Sequence, residues 1–98
     1  MHLAIRLLKK IPKGRVATYK ELARVCKTSP RAIGRIMAHN ADPEHFPCYK
    51  VVASSGLLIG YSAPGGIKKK RKLLQEEGIG FSGKRARKEY FYTFGKPR

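Results

Sequence analysis

The sequence predicts a mainly α, winged helix-turn-helix single domain, on three observations. Two helix signatures, Tyr19–Lys27 and Pro30 to about Asn40, are joined by the short turn Lys27-Thr28-Ser29-Pro30. Two strand-like stretches then flank Ser54-Ser55-Gly56, the pattern of a hairpin. The chain has 98 residues, which leaves room for one core but not for two.

Each element has its own local cause. Leu3, Leu7 and Ile11 recur every four residues with Ala4 and Leu8 beside them, so an amphipathic helix is expected up to Ile11. Pro12-Lys13-Gly14 breaks it, and Arg15–Thr18 has the β-branched content of a short extended stretch. Thr18 with Glu21 three residues on has the spacing of a capping box, and Leu22, Ala23, Val25 and Cys26 form the apolar side of the helix that follows. Ser29 is placed to cap the next helix, and Pro30 fits its first position. That helix is expected to bury Ile33, Ile36 and Met37 and to carry Arg31 and Arg35 near its start, where the second helix of such a pair meets DNA. Tyr49–Ala53 and Leu57–Tyr61 are the expected strands of the wing. Ile67–Glu77 follows as a helix with Gly78 at its end. We place the domain at residues 1–80, and a basic aromatic tail at 81–98. The aromatic residues from Tyr90 to Phe94 are expected to pack on the domain as a final strand or helix, with stacking on exposed bases as the other reading.

Composition narrows the partners. Lys and Arg total 22 against 6 Asp and Glu, a formal net charge of +16. Such an excess repels itself unless a polyanion neutralises it, and nucleic acid is the usual one, ahead of an anionic membrane surface. No apolar run reaches the length that spans a bilayer. Arg6, Lys9 and Lys10 interrupt what would be the apolar part of a secretion signal, so an intracellular setting is expected. Cys26 and Cys48 are then read as thiols rather than a disulfide. The run Lys68–Lys72 is read as a solvated helix face, with phosphate contacts as the alternative.

The segment Phe46-Pro47-Cys48-Tyr49-Lys50-Val51-Val52 carries the chemistry. A cysteine fixed after proline at the head of a strand, near basic residues, is placed where its thiolate is favoured. A small buried cysteine serving as a hydrophobe is the plain alternative. His39, His45 and Cys48 lack the fourth ligand of a zinc site, and no Cys-x-x-Cys is present. Pro47-Cys48 lacks the second cysteine of a zinc deaminase motif, and neither histidine is assignable as the base of a protease-like pair.

The ordered segments IPKGRVATYKELA, SPRAIGRIMAHN, FPCYKVVASSG, GYS and KLLQEEG resemble the DNA-binding domain of the alkylguanine-DNA alkyltransferases and alkyltransferase-like proteins, over about residues 3–81. The resemblance implies direct repair of double-stranded DNA containing alkylated guanine, by a monomer using no cofactor and no metal. Cys48 stands where the family's acceptor cysteine does, and would take the alkyl group once, as a thioether. Tyr19 matches the tyrosine that helps rotate the nucleotide out and donates a proton to the leaving base. Arg31 matches the arginine that fills the vacated stack. Asn40 matches the asparagine that braces the recognition helix against the active-site turn. Tyr61 and Ser62 match the contacts to the guanine oxygen, and the carbonyls of Cys48 and Val51 those to its amino group. Glu77 matches the acid at the end of the cysteine's hydrogen-bond chain. Arg35 and Lys50 are expected on the DNA side.

The chain departs from that pattern in informative places. The family's usual Pro-Cys-His-Arg is here Pro-Cys-Tyr-Lys, so Tyr49 stands in for the histidine that relays the cysteine's proton. A phenol is a poor base near neutrality. Lys50 keeps charge but loses the planar fork of arginine. Gly60 replaces a common asparagine, and Ala63-Pro64 adds length to the following loop. Without the separate N-terminal domain usual in the family, this chain is expected to be a minimal, single-domain member. Two other functions remain open. Alkyltransferase-like proteins bind alkylated bases without accepting the alkyl group, and usually have another residue in place of the cysteine. A winged-helix repressor or architectural protein with an inert cysteine would show sequence preference in undamaged DNA.

Overall fold

In the computed structural model, which describes residues 2–59 and 66–95, a mainly helical body carries two small sheets. Tyr61 and Ser62 lie outside the described residues. Helix α1 (Leu3–Leu7) opens on His2, whose Nδ1 accepts from the Ala4 amide at 3.0 Å. It tightens at once into a 3-10 turn, Leu8–Lys10. With three residues per turn, the buried stripe rotates. Ala4, Ile5, Leu7, Leu8 and Ile11 are buried, whereas Leu3, expected on that stripe, stays 43% exposed.

Strand β1 (Ala17–Thr18) runs into α2 (Tyr19–Cys26), with the Thr18 hydroxyl accepting from the Glu21 amide at 2.9 Å. Glu21 does not close the expected box. Its carboxylate pairs with Arg24 at 2.7 Å and accepts from the Phe94 amide at 2.8 Å. Lys27 ends α2 in the left-handed region, at φ 56°. Helix α3 (Pro30–Ala38) starts on the predicted Ser29 cap, which accepts from the Ala32 amide at 3.1 Å, and packs against α2. It stops before Asn40, which leaves the helix and turns inward.

The expected hairpin takes another form. Its turn is present: the Ala53 amide donates to Leu57 O at 2.9 Å and the Gly56 amide to Ala53 O at 2.8 Å. The strand before it is short, because Cys48–Lys50 forms a 3-10 turn and only Val51–Val52 is extended, as β2. Strand β2 pairs in parallel with β1, Ala17 beside Val51 and Thr18 beside Val52. Over the described part of the expected strand Leu57–Tyr61, residues 57–59, Leu57 forms a bridge to Arg85 of the tail. An isolated two-stranded hairpin is marginal in water, so each side takes a partner from elsewhere in the chain.

The β1–β2 pair divides the core by the alternation of a strand. Ala17 and Val51 join one cluster with α1, α2, α3 and Cys48. Val16 and Val52 join another with Leu58, Leu74, Ile79 and Ala86, and Tyr49 packs against it. Helix α4 (Gly66–Glu76) packs on the Cys48–Lys50 turn. Residues from 81 on fold back: β3 (Phe81–Ser82) pairs antiparallel with β4 (Arg85–Ala86), and the Ala86 amide donates to Gly56 O at 2.9 Å. Val16 then exchanges backbone bonds with Tyr90 and Tyr92 at 2.8 and 2.7 Å.

Candidate active site

Cys48 is held from behind by backbone. Its amide donates to Phe46 O at 2.8 Å, and the same carbonyl accepts from Asn40 Nδ2 at 2.8 Å. Asn40 Oδ1 accepts from the Asp42 amide at 3.1 Å, so one side chain ties the end of α3 to the segment that delivers the thiol. The Cys48 carbonyl accepts from the Val51 amide as the 3-10 turn closes. The residue is 9% exposed.

Tyr19, at the first turn of α2, brings a hydroxyl to this region and donates to Ile59 O at 3.1 Å. Burial raises its pKa to about 12, and a charge on Cys48 pushes the same way. The ring also lines a cavity of about 470 Å³ with Arg31, Gly34, Ala53, Ser54 and Ile59. Arg31 is exposed, as is Arg35 one turn along. Gly34 lies between them, and a Cβ there would meet nothing within 4 Å. Helix-interior glycine costs about 1 kcal/mol against alanine, and among the described residues no packing demands it.

A second constellation lies behind the turn. The Tyr49 hydroxyl donates to Glu77 Oε2 in a short hydrogen bond. Glu77 Oε1 accepts from the Gly14 amide at 3.1 Å and pairs with Lys50 Nζ at 3.0 Å. Burial opposes the charge on Glu77. The Tyr49 hydroxyl, the Gly14 amide and the Lys50 ammonium outweigh it and hold the carboxyl below its usual range. Lys50 was expected on the DNA side and is instead 3% exposed. Its ammonium donates to Pro12 O at 2.7 Å and Ile11 O at 3.2 Å, pinning the end of the first helical segment to the turn. The cause is geometric: in a 3-10 turn residue 50 does not alternate outward as it would in a strand.

Lys70 is the residue the sequence hid. Read there as part of a solvated lysine face, it is fully buried. Its Nζ donates to Ile59 O at 2.8 Å, the carbonyl that Tyr19 also uses, and stands 5.8 Å from the Tyr19 ring centroid. Burial pulls its pKa from 10.5 down to about 8, against an opposing pull from Cys48. The signal in the sequence was phase, since Leu74, one turn on, is also fully buried. Lys68, Lys69 and Lys72 are exposed as expected. Among the described residues, no three His, Cys, Asp or Glu side chains converge as metal ligands, and no helix is long and apolar enough to cross a membrane.

Comparison with known proteins converges on one family. Residues 2–79 match the family described as 6-O-methylguanine DNA methyltransferase, DNA binding domain. A methylated-DNA–protein-cysteine methyltransferase of Pyrobaculum aerophilum is 50% identical over 68 residues, which are 69% of this chain and 45% of that protein. The chain thus spans less than half the length of the curated relatives it matches. The O6-methylguanine-DNA methyltransferase of Pyrococcus kodakaraensis superposes with a TM-score of 0.67 at 42% identity, over 78% of this chain and 44% of that one. Atl1 of S. pombe, in complex with damaged DNA containing O6-carboxymethylguanine, superposes with a TM-score of 0.77 at 27% identity, over 96% of this chain and 92% of that one.

Proposed function

Because the chain belongs to the 6-O-methylguanine DNA methyltransferase family through its DNA-binding domain, we propose that it repairs O6-alkylated guanine in double-stranded DNA by moving the alkyl group to Cys48. The observation that carries this reading is the placement of Cys48. Asn40 and Phe46 fix its backbone, and it belongs to the same buried cluster as Tyr19. In this reading α2 and α3 form the helix-turn-helix, the Ala53–Leu57 turn serves as the wing, residues 1–80 form the DNA-binding unit and residues 81–98 its tail. The protein acts within the cell, as a monomer.

The alkylated oxygen is inaccessible in a stacked duplex, so the nucleotide must swing out, at a cost of a few kcal/mol. Arg31 fills the gap, and the space left by Gly34 lets backbone approach α3. Arg35 contacts phosphate. The extruded base enters beside Tyr19, and, as the resemblance implies, the carbonyls of Cys48 and Val51 accept from its amino group. The sulfur attacks the alkyl carbon, a C–S bond forms, and the C–O bond breaks with its electron pair going to guanine. Tyr61 and Ser62 supply the donors that stabilise this charge, as in an oxyanion hole. Tyr19 stays neutral over the working pH range, so its hydroxyl proton, held by Ile59 O in the free protein, is there to turn to the base. The Tyr49–Glu77–Lys50 group holds the turn in register. The thioether is stable, so each molecule acts once.

A second reading, lesion binding without transfer, is favoured by one observation. Tyr49 replaces the usual histidine, and its hydroxyl is engaged with Glu77. Intact-protein mass after incubation with an O6-methylguanine oligonucleotide separates the two, with Cys48→Ala alongside. We expect the mass of one methylene to be added to the native chain only, stopping at one per molecule. No mass gain, with tighter binding to the lesion than to guanine, establishes the binding protein instead.

A further inference from the structure

We propose that Lys70 is the proton acceptor for Cys48, taking the part that the residue after the cysteine plays elsewhere in the family. The inference rests on the transfer reading above and concerns how its thiol is activated.

The geometry singles out this amine. Lys70 is fully buried on α4, the helix that packs against the Cys48–Lys50 turn. Its Nζ is held by Ile59 O at 2.8 Å, and the Tyr19 hydroxyl meets that same carbonyl at 3.1 Å. Lys70, Tyr19 and Cys48 therefore converge from α4, α2 and the turn. Tyr19 and Cys48 belong to one buried cluster, α4 packs on the turn that carries Cys48, and the Lys70 amine stands 5.8 Å from the Tyr19 ring centroid, so amine and sulfur share one region. Among the described residues, the groups near Lys70 are few. Tyr19 presents a neutral hydroxyl from α2, the turn packed against α4 carries Cys48, and the neighbours of Lys70 on α4, Lys69 and Arg71, point charge into solvent or onto the Phe81 ring. Glu77 lies beyond the turn, with its carboxylate occupied by Tyr49, Gly14 and Lys50. Tyr49 supplies its hydroxyl proton to Glu77 and is itself a weak base.

The proton count closes. The Cys48 S–H bond breaks and a Lys70 N–H bond forms, leaving thiolate beside ammonium. The thiolate forms the C–S bond as the C–O bond breaks, with the electron pair leaving on guanine. Guanine takes up one proton and the Lys70 ammonium gives one up, so thiol and alkylated base become thioether and guanine. A lysine desolvated to a pKa of about 8 is matched to accept and release a proton near neutral pH.

The test compares native protein with Lys70→Met, Lys70→Gln and the exposed control Lys69→Met. Lys70→Gln keeps a donor for the Ile59 carbonyl, and melting curves show which variants are folded. Either folded Lys70 variant decides the matter. The rate of iodoacetamide labelling is followed against pH by peptide mass at Cys48, so that Cys26 does not contribute. We expect the half-maximal pH to move up by about one unit or more without Lys70, the effect of losing an adjacent positive charge, and to stay put in Lys69→Met. Transfer from the O6-methylguanine oligonucleotide should slow about a hundredfold in the same variants. A labelling profile unchanged in a folded Lys70 variant overturns the proposal, as does unimpaired alkyl transfer. If the profile shifts while the native chain gains no methylene from the oligonucleotide, the pairing stands and the transfer function falls.

Discussion

At the residue scale, burying Lys70 works against the fold. Its pKa falls from 10.5 to about 8 because the ammonium loses water that Ile59 O and the Tyr19 ring only partly replace. That drop corresponds to about 3 kcal/mol of folding free energy at neutral pH. In the folded chain the proton leaves near pH 8, and in the unfolded chain near 10.5. Between those values the unfolded state binds the extra proton, so the stability contributed here rises with pH across that window and is lowest below it. Lys70→Met should therefore be more stable than the native chain at pH 7, with the gap closing as pH approaches 10. Paired urea melts at several pH values measure this. A variant that is weaker at pH 7 by an amount independent of pH would sink the argument. A residue whose removal strengthens the fold is retained for something other than the fold.

At the element scale, the turn between β2 and Leu57 depends on the tail. Gly56 has φ +92°, and a Cβ there would stand 2.4 Å from Ala86 O. The glycine thus serves both a left-handed turn and the close approach of β4, whose Ala86 amide bonds Gly56 O. Gly56→Ala should cost about 2 kcal/mol or more, near 10 °C in Tm for a chain of this length. Calorimetry that finds less than about 0.5 kcal/mol would mean that the tail does not seat as described. This junction also explains what the sequence made legible. The caps at Thr18 and Ser29-Pro30 act within three residues, and they could be read directly. Asn40 and Cys48 could be singled out by resemblance, but the Phe46 carbonyl that joins them could not. The parallel pairing of Ala17 with Val51 joins residues far apart in sequence, and no local pattern announces it. It is this pairing, with the 3-10 turn at Cys48–Lys50, that sends Lys50 inward and puts Cys48 and Tyr49 in contact with different clusters. Lys70 was hidden for a related reason: a run of like residues masks the one whose helical phase faces the core.

For the whole molecule, salt should act in opposite directions on stability and on binding. The formal charge is +16. Of the few acids, Glu21 is paired with Arg24, Asp42 with His45, Glu77 with Lys50, and Glu89 with Arg87. The remaining lysines and arginines repel one another across a surface with little to screen them. Added salt shortens the screening length to about 8 Å at physiological strength, so it should raise Tm in the free protein. The same salt should weaken binding to duplex DNA steeply, since each phosphate neutralised releases a counterion. With Arg31, Arg35 and a few exposed lysines engaged, affinity should fall roughly 1000-fold between about 50 and 200 mM. Heparin at low salt should mimic DNA and raise Tm, and that effect should vanish at high salt. A Tm that falls with salt would place the decisive charge in ion pairs rather than in self-repulsion. An affinity indifferent to salt would remove the phosphate backbone from the interface, and with it the assignment of α3 and its arginines to DNA.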